Sequence, residues 1–153
     1  MKTISMLVVL STLLLSSCRG QKISLEKQDA LKFEKAEYQR WTAGIKGGGA
    51  GYTINLTLDE SLGDIVLDSV FFKKWIVKLD GGDSNRYYAT IDDGSNSESD
   101  FPDATVAKKA TPEVDIPFQL GEEEVVIAYK QRNELKYYKL SLSKAKQFNT
   151  PRY

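Results

Sequence analysis

Alternation of apolar and polar residues dominates the middle of the chain and predicts β-strands rather than helices. In the clearest case, 51–58, the apolar residues Tyr52, Ile54, Leu56 and Leu58 occupy every second position. A period of two is typical of a strand that buries one face in an antiparallel sheet. This segment therefore predicts a half-buried antiparallel strand.

Similar patterns predict further strands on both sides of a turn signal at 80–85, which is rich in Gly, Asp, Ser and Asn. The further predicted strands are 65–72, 75–79, 86–92, 116–120, 125–130 and 135–142. The run at 65–72 is densely apolar, which indicates a central strand. Pro117 places 116–120 at a sheet edge, because proline cannot donate a ladder hydrogen bond. The last two strands predict a hairpin.

About seven or eight short strands and no convincing helix predict an all-β domain. Such chains form a single antiparallel β-sandwich, and one sheet closed on itself is the alternative. An immunoglobulin-like arrangement is one option, although a chain with one cysteine lacks the Cys–Trp–Cys set of antibody domains. We predict this sandwich over 35–146, followed by a tail at 147–153.

The N-terminus shows a different pattern, in which one positive charge precedes an uncharged apolar run. Lys2 is followed by 4–17, which is rich in Leu and Val. This is the pattern of an export signal. The run of about 14 residues is shorter than the roughly 20 that span a bilayer core. We therefore predict a signal helix at 1–17 that is cleaved, rather than a transmembrane helix.

A short motif closes this run at the only cysteine, where an aliphatic and two small residues precede Cys18 in the order Leu15-Ser16-Ser17-Cys18. This tetrapeptide resembles the bacterial lipobox, and the resemblance covers the leader and Cys18 alone. It implies a lipoprotein that is cut before Cys18 and carries diacylglycerol on its sulfur, usually with an additional N-acyl chain. At about 0.8 kcal/mol per buried methylene, more than one chain gives stable attachment to a membrane.

The residues after this cysteine predict a flexible tether at 18–34, because 19–33 is polar with only scattered apolar positions. Fully extended, about 15 residues would reach roughly 50 Å, so the domain could stand off the membrane. Residue 19 is Arg, whereas an Asp at this place can retain lipoproteins at the inner membrane. The resemblance therefore favours the outer membrane of the cell envelope and leaves the face open.

Charge and composition argue against several functions. The chain has 21 basic and 21 acidic residues, and loss of Lys2 with the leader leaves a net charge of −1. Without a basic excess we predict no nucleic-acid partner. The absence of histidine removes Ser-His-Asp and Cys-His catalysis and the common zinc sites. We predict a protein that is not an enzyme and has no cofactor beyond the covalent lipid.

The segment 44–51 is rich in glycine and includes Gly47, Gly48 and Gly49. Glycines allow backbone N–H groups to approach a phosphate or a sugar closely. However, the segment opens a strand rather than a helix and lacks the Gly-Lys-Ser/Thr of a phosphate loop. It is interpreted as a flexible hairpin loop, with a ligand-binding loop as the alternative.

Two tyrosines, Tyr88 and Tyr137, are predicted to point away from the core, because their neighbours Tyr87 and Tyr138 share faces with apolar residues. Outward rings could stack on a carbohydrate. The alternative is that they are ordinary surface rings, which sheets favour in any case.

The polar loop that begins at residue 92 contains carboxylates at close spacing, namely Asp92, Asp93, Asp100 and Asp103. Hard oxygen ligands of this kind suit calcium. The order of an EF-hand is missing, and an acidic, serine-rich loop is more often simply solvated. Calcium is therefore the minor hypothesis for this loop.

The sequence as a whole favours a non-catalytic lipoprotein with an interaction or structural role at the cell envelope. Its partners would be the membrane, through the anchor, and an envelope protein or glycan. The alternative is a binding module for carbohydrate or another small ligand. A third hypothesis is a hydrolase that uses a pair of carboxylates.

Overall fold

Two β-sheets packed face to face make up the part of the chain that the structure describes. This computed structural model describes residues 23–26, 31–60, 62–97 and 110–146. The predicted leader 1–17, the predicted lipidation site Cys18, the predicted tail 147–153 and the candidate calcium ligands Asp100 and Asp103 lie outside these residues. Within them, no helix has the length and apolar character needed to cross a membrane.

Nine strands are present in the described ranges, and all pairings between them are antiparallel except that of β1 with β9. They are β1 Phe33–Thr42, β2 Ala50–Leu58, β3 Ile65–Phe72, β4 Trp75–Lys78, β5 Asp80–Gly81, β6 Arg86–Asp92, β7 Glu124–Gln131, β8 Glu134–Ser141 and β9 Ser143–Lys144. The five-stranded sheet has the order β5-β6-β2-β1-β9, and the four-stranded sheet β4-β3-β7-β8. The predicted all-β sandwich is confirmed, with β5 and β9 as short additions.

The strand order is that of an immunoglobulin-type sandwich. Such domains place strands A, B, E and D in one sheet opposite C′, C, F and G in the other. When β1 to β8 are taken in chain order as A, B, C, C′, D, E, F and G, both sheets have this arrangement. The loop β1–β2 and the long connection β6–β7 therefore share one end, which we call the glycine-loop end. The turns before β3, β6 and β8 share the opposite end, called the hairpin end.

The core lies between the two sheets and consists of the side chains that the alternation predicted to face inward. Ile54, Val70, Phe72, Ile91 and Ile127 are 0% exposed. Burying a side chain of this size contributes roughly 1.5–3 kcal/mol to folding relative to leaving it in water. These contacts between the sheets position the loops at both ends.

The densely apolar β3 contains a β-bulge, which accounts for its irregular pattern. The register of β3 against β7 shifts between Leu67 and Ser69. Leu67 faces the core before the shift, and Val70 and Phe72 face it afterwards. The carbonyl of Asp68, at the shift, accepts a hydrogen bond from the Leu79 N–H at 2.9 Å. A bulge adds one residue to a strand, so simple alternation fails there.

The segment 116–120 is not the edge strand that the sequence predicted. It forms no ladder and instead crosses the outer face of the four-stranded sheet, where Ile116, Phe118 and Leu120 pack against a second cluster of Phe71, Val126 and Ala128. Hydrogen bonds from the Val114 N–H to the Lys74 carbonyl and from Lys139 Nζ to the Gln119 carbonyl hold it there. Its period of two arises from alternate burial of side chains, not from strand pairing.

The residues assigned to the tether are partly attached to the sandwich. Leu25 pairs with Tyr137 of β8 in a parallel bridge, and the Glu26 N–H donates to the Tyr137 carbonyl at 2.8 Å. Further on, Leu31 is buried in the core. The expected stand-off of roughly 50 Å is therefore too long, because the chain is already fixed to β8 at Leu25.

Candidate functional site

The glycine segment forms a compact hairpin loop between β1 and β2. The Ala43 N–H donates to the Gly49 carbonyl at 3.0 Å, and the Gly48 N–H donates to the Ile45 carbonyl at 3.2 Å. Gly47 and Gly49 have φ angles of 80° and 82°, in the left-handed region that other L-residues rarely adopt. Two of the three glycines are thus required by the backbone.

The loop that follows β6 packs directly against this glycine loop. The Gly49 N–H donates to the Asn96 carbonyl at 3.0 Å. In the other direction, Asn96 Nδ2 donates to the carbonyls of Ile45 at 3.0 Å and Gly49 at 3.2 Å. The structure therefore brings together two of the segments that the sequence singled out. We call residues 43–50 and 92–97 the loop seam.

Asp92 is the buried polar residue of this seam, with 6% of its surface exposed. Its Oδ1 accepts a hydrogen bond from the Gly94 N–H at 3.0 Å, and its backbone N–H donates to Thr111 Oγ1 at 2.9 Å. Its Oδ2 has no hydrogen-bond partner. A Cβ added to Gly49 would lie 2.6 Å from this oxygen, so the carboxylate faces the glycine backbone. A buried acceptor without a donor is rare and costs free energy.

Asp93, the next residue, is fully engaged by its neighbours. Its Oδ1 accepts hydrogen bonds from the Ser95 N–H at 2.9 Å and from the Ser95 hydroxyl, and its Oδ2 pairs with Arg40 Nη2 at 3.3 Å. Partial burial raises the pKa of this carboxyl, but the Ser95 hydrogen bonds and the Arg40 charge outweigh it and leave the pKa below its ordinary value of 3.8. Asp93 therefore holds the loop in place.

The lowered pKa of Asp93 predicts a specific loss of stability in acid. A carboxyl whose pKa is lower when folded stabilises the protein above its unfolded pKa, and this contribution disappears as the pH falls through the folded pKa. We expect Asp93→Asn to lower the free energy of unfolding by up to about 1 kcal/mol at pH 6. The effect is no larger because Arg40 is half exposed, and it should be smaller at pH 2. Urea unfolding at both pH values measures this difference, and equal losses at both would contradict it.

The structure places the two candidate stacking tyrosines on opposite sides of the molecule. Tyr88 is half exposed on β6 in the five-stranded sheet. Tyr137 also points outward, but from the four-stranded sheet, and its ring centroid lies 5.4 Å from that of Phe118 and 6.0 Å from that of Phe71. The two rings are not brought together with each other, and Tyr137 is part of the second apolar cluster rather than a free platform.

The candidate calcium ligands are only partly described. Asp92 and Asp93 lie side by side in the seam, whereas Asp100 and Asp103 fall outside the described residues. No group of three His, Cys, Asp or Glu residues that could hold a metal ion occurs in the described ranges. Asp93 is committed to Ser95 and Arg40, and Asp92 Oδ1 accepts from the Gly94 N–H, so Asp92 Oδ2 is the oxygen of these two carboxylates that has no hydrogen-bond partner.

An open depression of about 330 Å³ lies beside the seam, lined by Lys46, Gly94, Ser95, Asn96 and Ser97. Sequence reasoning singled out the glycines and Asp92 but missed Asn96 and Thr111. A signal for Asn96 was present, because Asn follows Gly94-Ser95 in a turn and adopts a positive φ of 52°. Thr111 lies 19 positions from its partner Asp92, and no local pattern predicts that contact.

Comparisons with protein-family models, with curated proteins and with solved structures found no match for this chain.

Proposed function

We propose that this chain is a bacterial lipoprotein, anchored to the outer membrane through lipid on Cys18, that acts without catalysis. Its β-sandwich would contact a protein or a glycan of the cell envelope. The observation that carries the proposal is the lipobox-like end of the apolar leader, Leu15-Ser16-Ser17-Cys18.

The attachment of Leu25 to β8 supports this proposal. Leu25 lies seven positions after Cys18 and is already fixed to Tyr137. Seven extended residues reach about 25 Å at most, so a lipid on Cys18 would keep the sandwich near the bilayer. A short link of this kind suits a protein whose partner is also in the envelope.

Metabolic labelling tests the anchor. Cells that express the full chain are grown with an alkyne-tagged fatty acid, and the purified protein is examined for the tag. We expect the tag on the mature protein and its loss with Cys18→Ser. A wild-type protein that takes up no tag would contradict the proposal.

The loop seam favours a second candidate function, the binding of a small ligand. The observation is the buried Asp92 Oδ2, an acceptor that lacks a donor. A sugar hydroxyl or a calcium ion that reached this oxygen would supply the missing partner. A Cβ at Gly49 would lie only 2.6 Å from this oxygen, so a glycine there is what allows the backbone to approach the carboxylate so closely.

Asp92→Asn distinguishes a ligand-binding role of Asp92 from a purely structural one. A neutral amide costs less to bury than a carboxylate, so we expect the variant to be more stable than wild type by about 1 kcal/mol while the Oδ1 contact to Gly94 persists. Such a gain is typical where a residue is kept for binding. Asp83→Asn, in an exposed turn at the hairpin end, is the matched control and should change little.

Thermal melts of wild type and Asp92→Asn, with calcium or soluble peptidoglycan fragments added separately, complete this test. We expect one of these additions to raise the melting temperature of wild type and not that of Asp92→Asn. If neither addition shifts wild type and Asp92→Asn is destabilised, Asp92 has a structural role and the second candidate fails.

A further inference from the structure

Four exposed apolar side chains lie on the four-stranded sheet and on the N-terminal segment that pairs with it. Ile23, Leu25, Val66 and Leu135 are 41%, 45%, 62% and 46% exposed. Val66 pairs with Lys130 and Lys130 pairs with Leu135, so these three residues form one row across the four-stranded sheet. Paired residues project to the same face, and here it is the outer face, away from the core.

The N-terminal segment extends this row beyond β8. Leu25 pairs with Tyr137 in parallel orientation. Leu135 lies two positions before Tyr137 on β8, so Leu25 projects to the same outer face as Leu135 and Val66. Continued two positions back along both chains, this parallel register would bring Ile23 beside Leu135. We call these four residues the outer apolar patch.

The two halves of this outer face differ in how they are covered. Towards the glycine-loop end, Ile116, Phe118 and Leu120 cover Phe71 and Val126. Towards the hairpin end, Val66 and Leu135 remain exposed among the described residues. Exposed apolar patches of this kind mark places where a protein contacts another surface.

We propose that the outer apolar patch rests on the lipid surface that holds the Cys18 anchor; this inference depends on the proposed lipid anchor. Ile23 lies five positions after Cys18, and five extended residues reach at most about 18 Å. Around Leu25 the chain runs parallel to β8, so towards its N-terminus it points to the hairpin end. A lipid on Cys18 would therefore have its acyl chains within reach of the patch.

The residue at the centre of the patch suits a lipid partner. Lys130 is exposed between Val66 and Leu135. A lysine can lay its aliphatic stem along apolar neighbours while its ammonium group reaches a lipid phosphate. A row of two apolar side chains around one lysine therefore matches the boundary between headgroups and acyl chains.

This orientation directs the loop seam away from the bilayer. β7 has eight residues, which at about 3.3 Å each place its two ends roughly 26 Å apart. The outer apolar patch lies towards the hairpin end, and the seam lies at the opposite end. The glycine-loop end would then face the compartment in which an envelope partner is found.

Fluorescence quenching by lipids tests this contact on the full, lipidated chain in vesicles of phosphatidylethanolamine and phosphatidylglycerol. An environment-sensitive dye is attached to Val66→Cys or Leu135→Cys. Matched controls are Ile45→Cys, at the glycine-loop end, and Ile76→Cys, on the same sheet but beside Phe71. All four positions are exposed, and thermal melts check that each variant keeps the wild-type fold.

Nitroxide lipids labelled near the headgroup are expected to quench the dye at 66 and 135 at least twofold more than at 45 and 76. Equal quenching at all four positions would overturn the patch while leaving the anchor intact. Dye uptake by the wild-type chain would show a free thiol at Cys18 and overturn the anchor itself. Dyes at 66 and 135 that stay shielded in detergent, without quenching by lipids, would show that protein covers the patch, which also overturns the lipid contact.

Discussion

Replacing Cys18 with Ser, behind an ordinary secretory leader in place of residues 1–17, is expected to move the protein from the membrane fraction into the soluble exported fraction. The reason is that the acyl chains supply the attachment, at about 0.8 kcal/mol for each buried methylene. The outer apolar patch has four side chains and would bind a membrane weakly by comparison. Fractionation followed by detection of the protein in each fraction measures this shift.

The sandwich itself should be unaffected by this change, because Cys18 lies five positions before the first described residue, Ile23. Circular dichroism melts of the released domain should therefore match those of the detergent-extracted wild type. Ser17→Ala in the natural leader is the matched control, since it keeps a small residue before Cys18 and should leave the protein in the membrane fraction. Retention of the Cys18→Ser protein at the membrane would show that something other than lipid holds it.

Gly51→Ala is expected to destabilise the fold by about 3 kcal/mol, which is a large fraction of the roughly 5–15 kcal/mol by which folded domains are usually stable. Gly51 lies in β2 between its neighbours Trp41 of β1 and Asp92 of β6. A Cβ at this position would lie 1.9 Å from the carbonyl oxygen of Ile91. This oxygen belongs to the backbone, so it cannot rotate away, and β2 and β6 would have to separate.

The matched control for this variant is Gly121→Ala. A Cβ there would lie 3.3 Å from Glu124 Oε2 as its nearest atom, so a shift of this side chain by a few tenths of an ångström accommodates it and can keep the hydrogen bond from the Gly121 N–H. We expect a change within about 0.5 kcal/mol, as for most surface substitutions. Urea unfolding of both variants gives the comparison. A Gly51→Ala protein as stable as Gly121→Ala would contradict the close approach of β2 and β6.

Strands such as β2 could be predicted because they bury one face in the core. In β2, the residues Ile54, Leu56 and Leu58 alternate with polar ones, since water lies on the other side of the sheet. The hairpin of β7 and β8 was predicted from two apolar segments on either side of a polar turn, and this turn at Arg132 and Asn133 has the positive φ values of a two-residue hairpin.

Two features could not be predicted from the sequence, because the alternation of apolar and polar residues has more than one physical cause. The segment 116–120 alternates like a strand, yet it does so to cover Phe71 and Val126 without pairing. In β3, the bulge between Leu67 and Ser69 changes which positions face the core, and a dense apolar run does not reveal where such a shift occurs.

The sequence predicted several residues of the candidate site but not that they come together. The glycines at 47–49 and the carboxylate of Asp92 were recognised from their residue types. Their meeting in the loop seam depends on the fold, which brings the loop after β1 and the loop after β6 to the same end. The fold also places Tyr88 and Tyr137 on opposite sheets, whereas the sequence predicts only that both point outward.

Mass spectrometry of the N-terminal peptide of the mature protein is the direct test of the lipid anchor. We expect a chain that begins at Cys18 and carries a diacylglycerol on its sulfur, with a further acyl chain on its amino group. A mature chain that keeps its leader, is cut elsewhere, or begins at Cys18 with an unmodified thiol would show that Cys18 is not a lipid anchor.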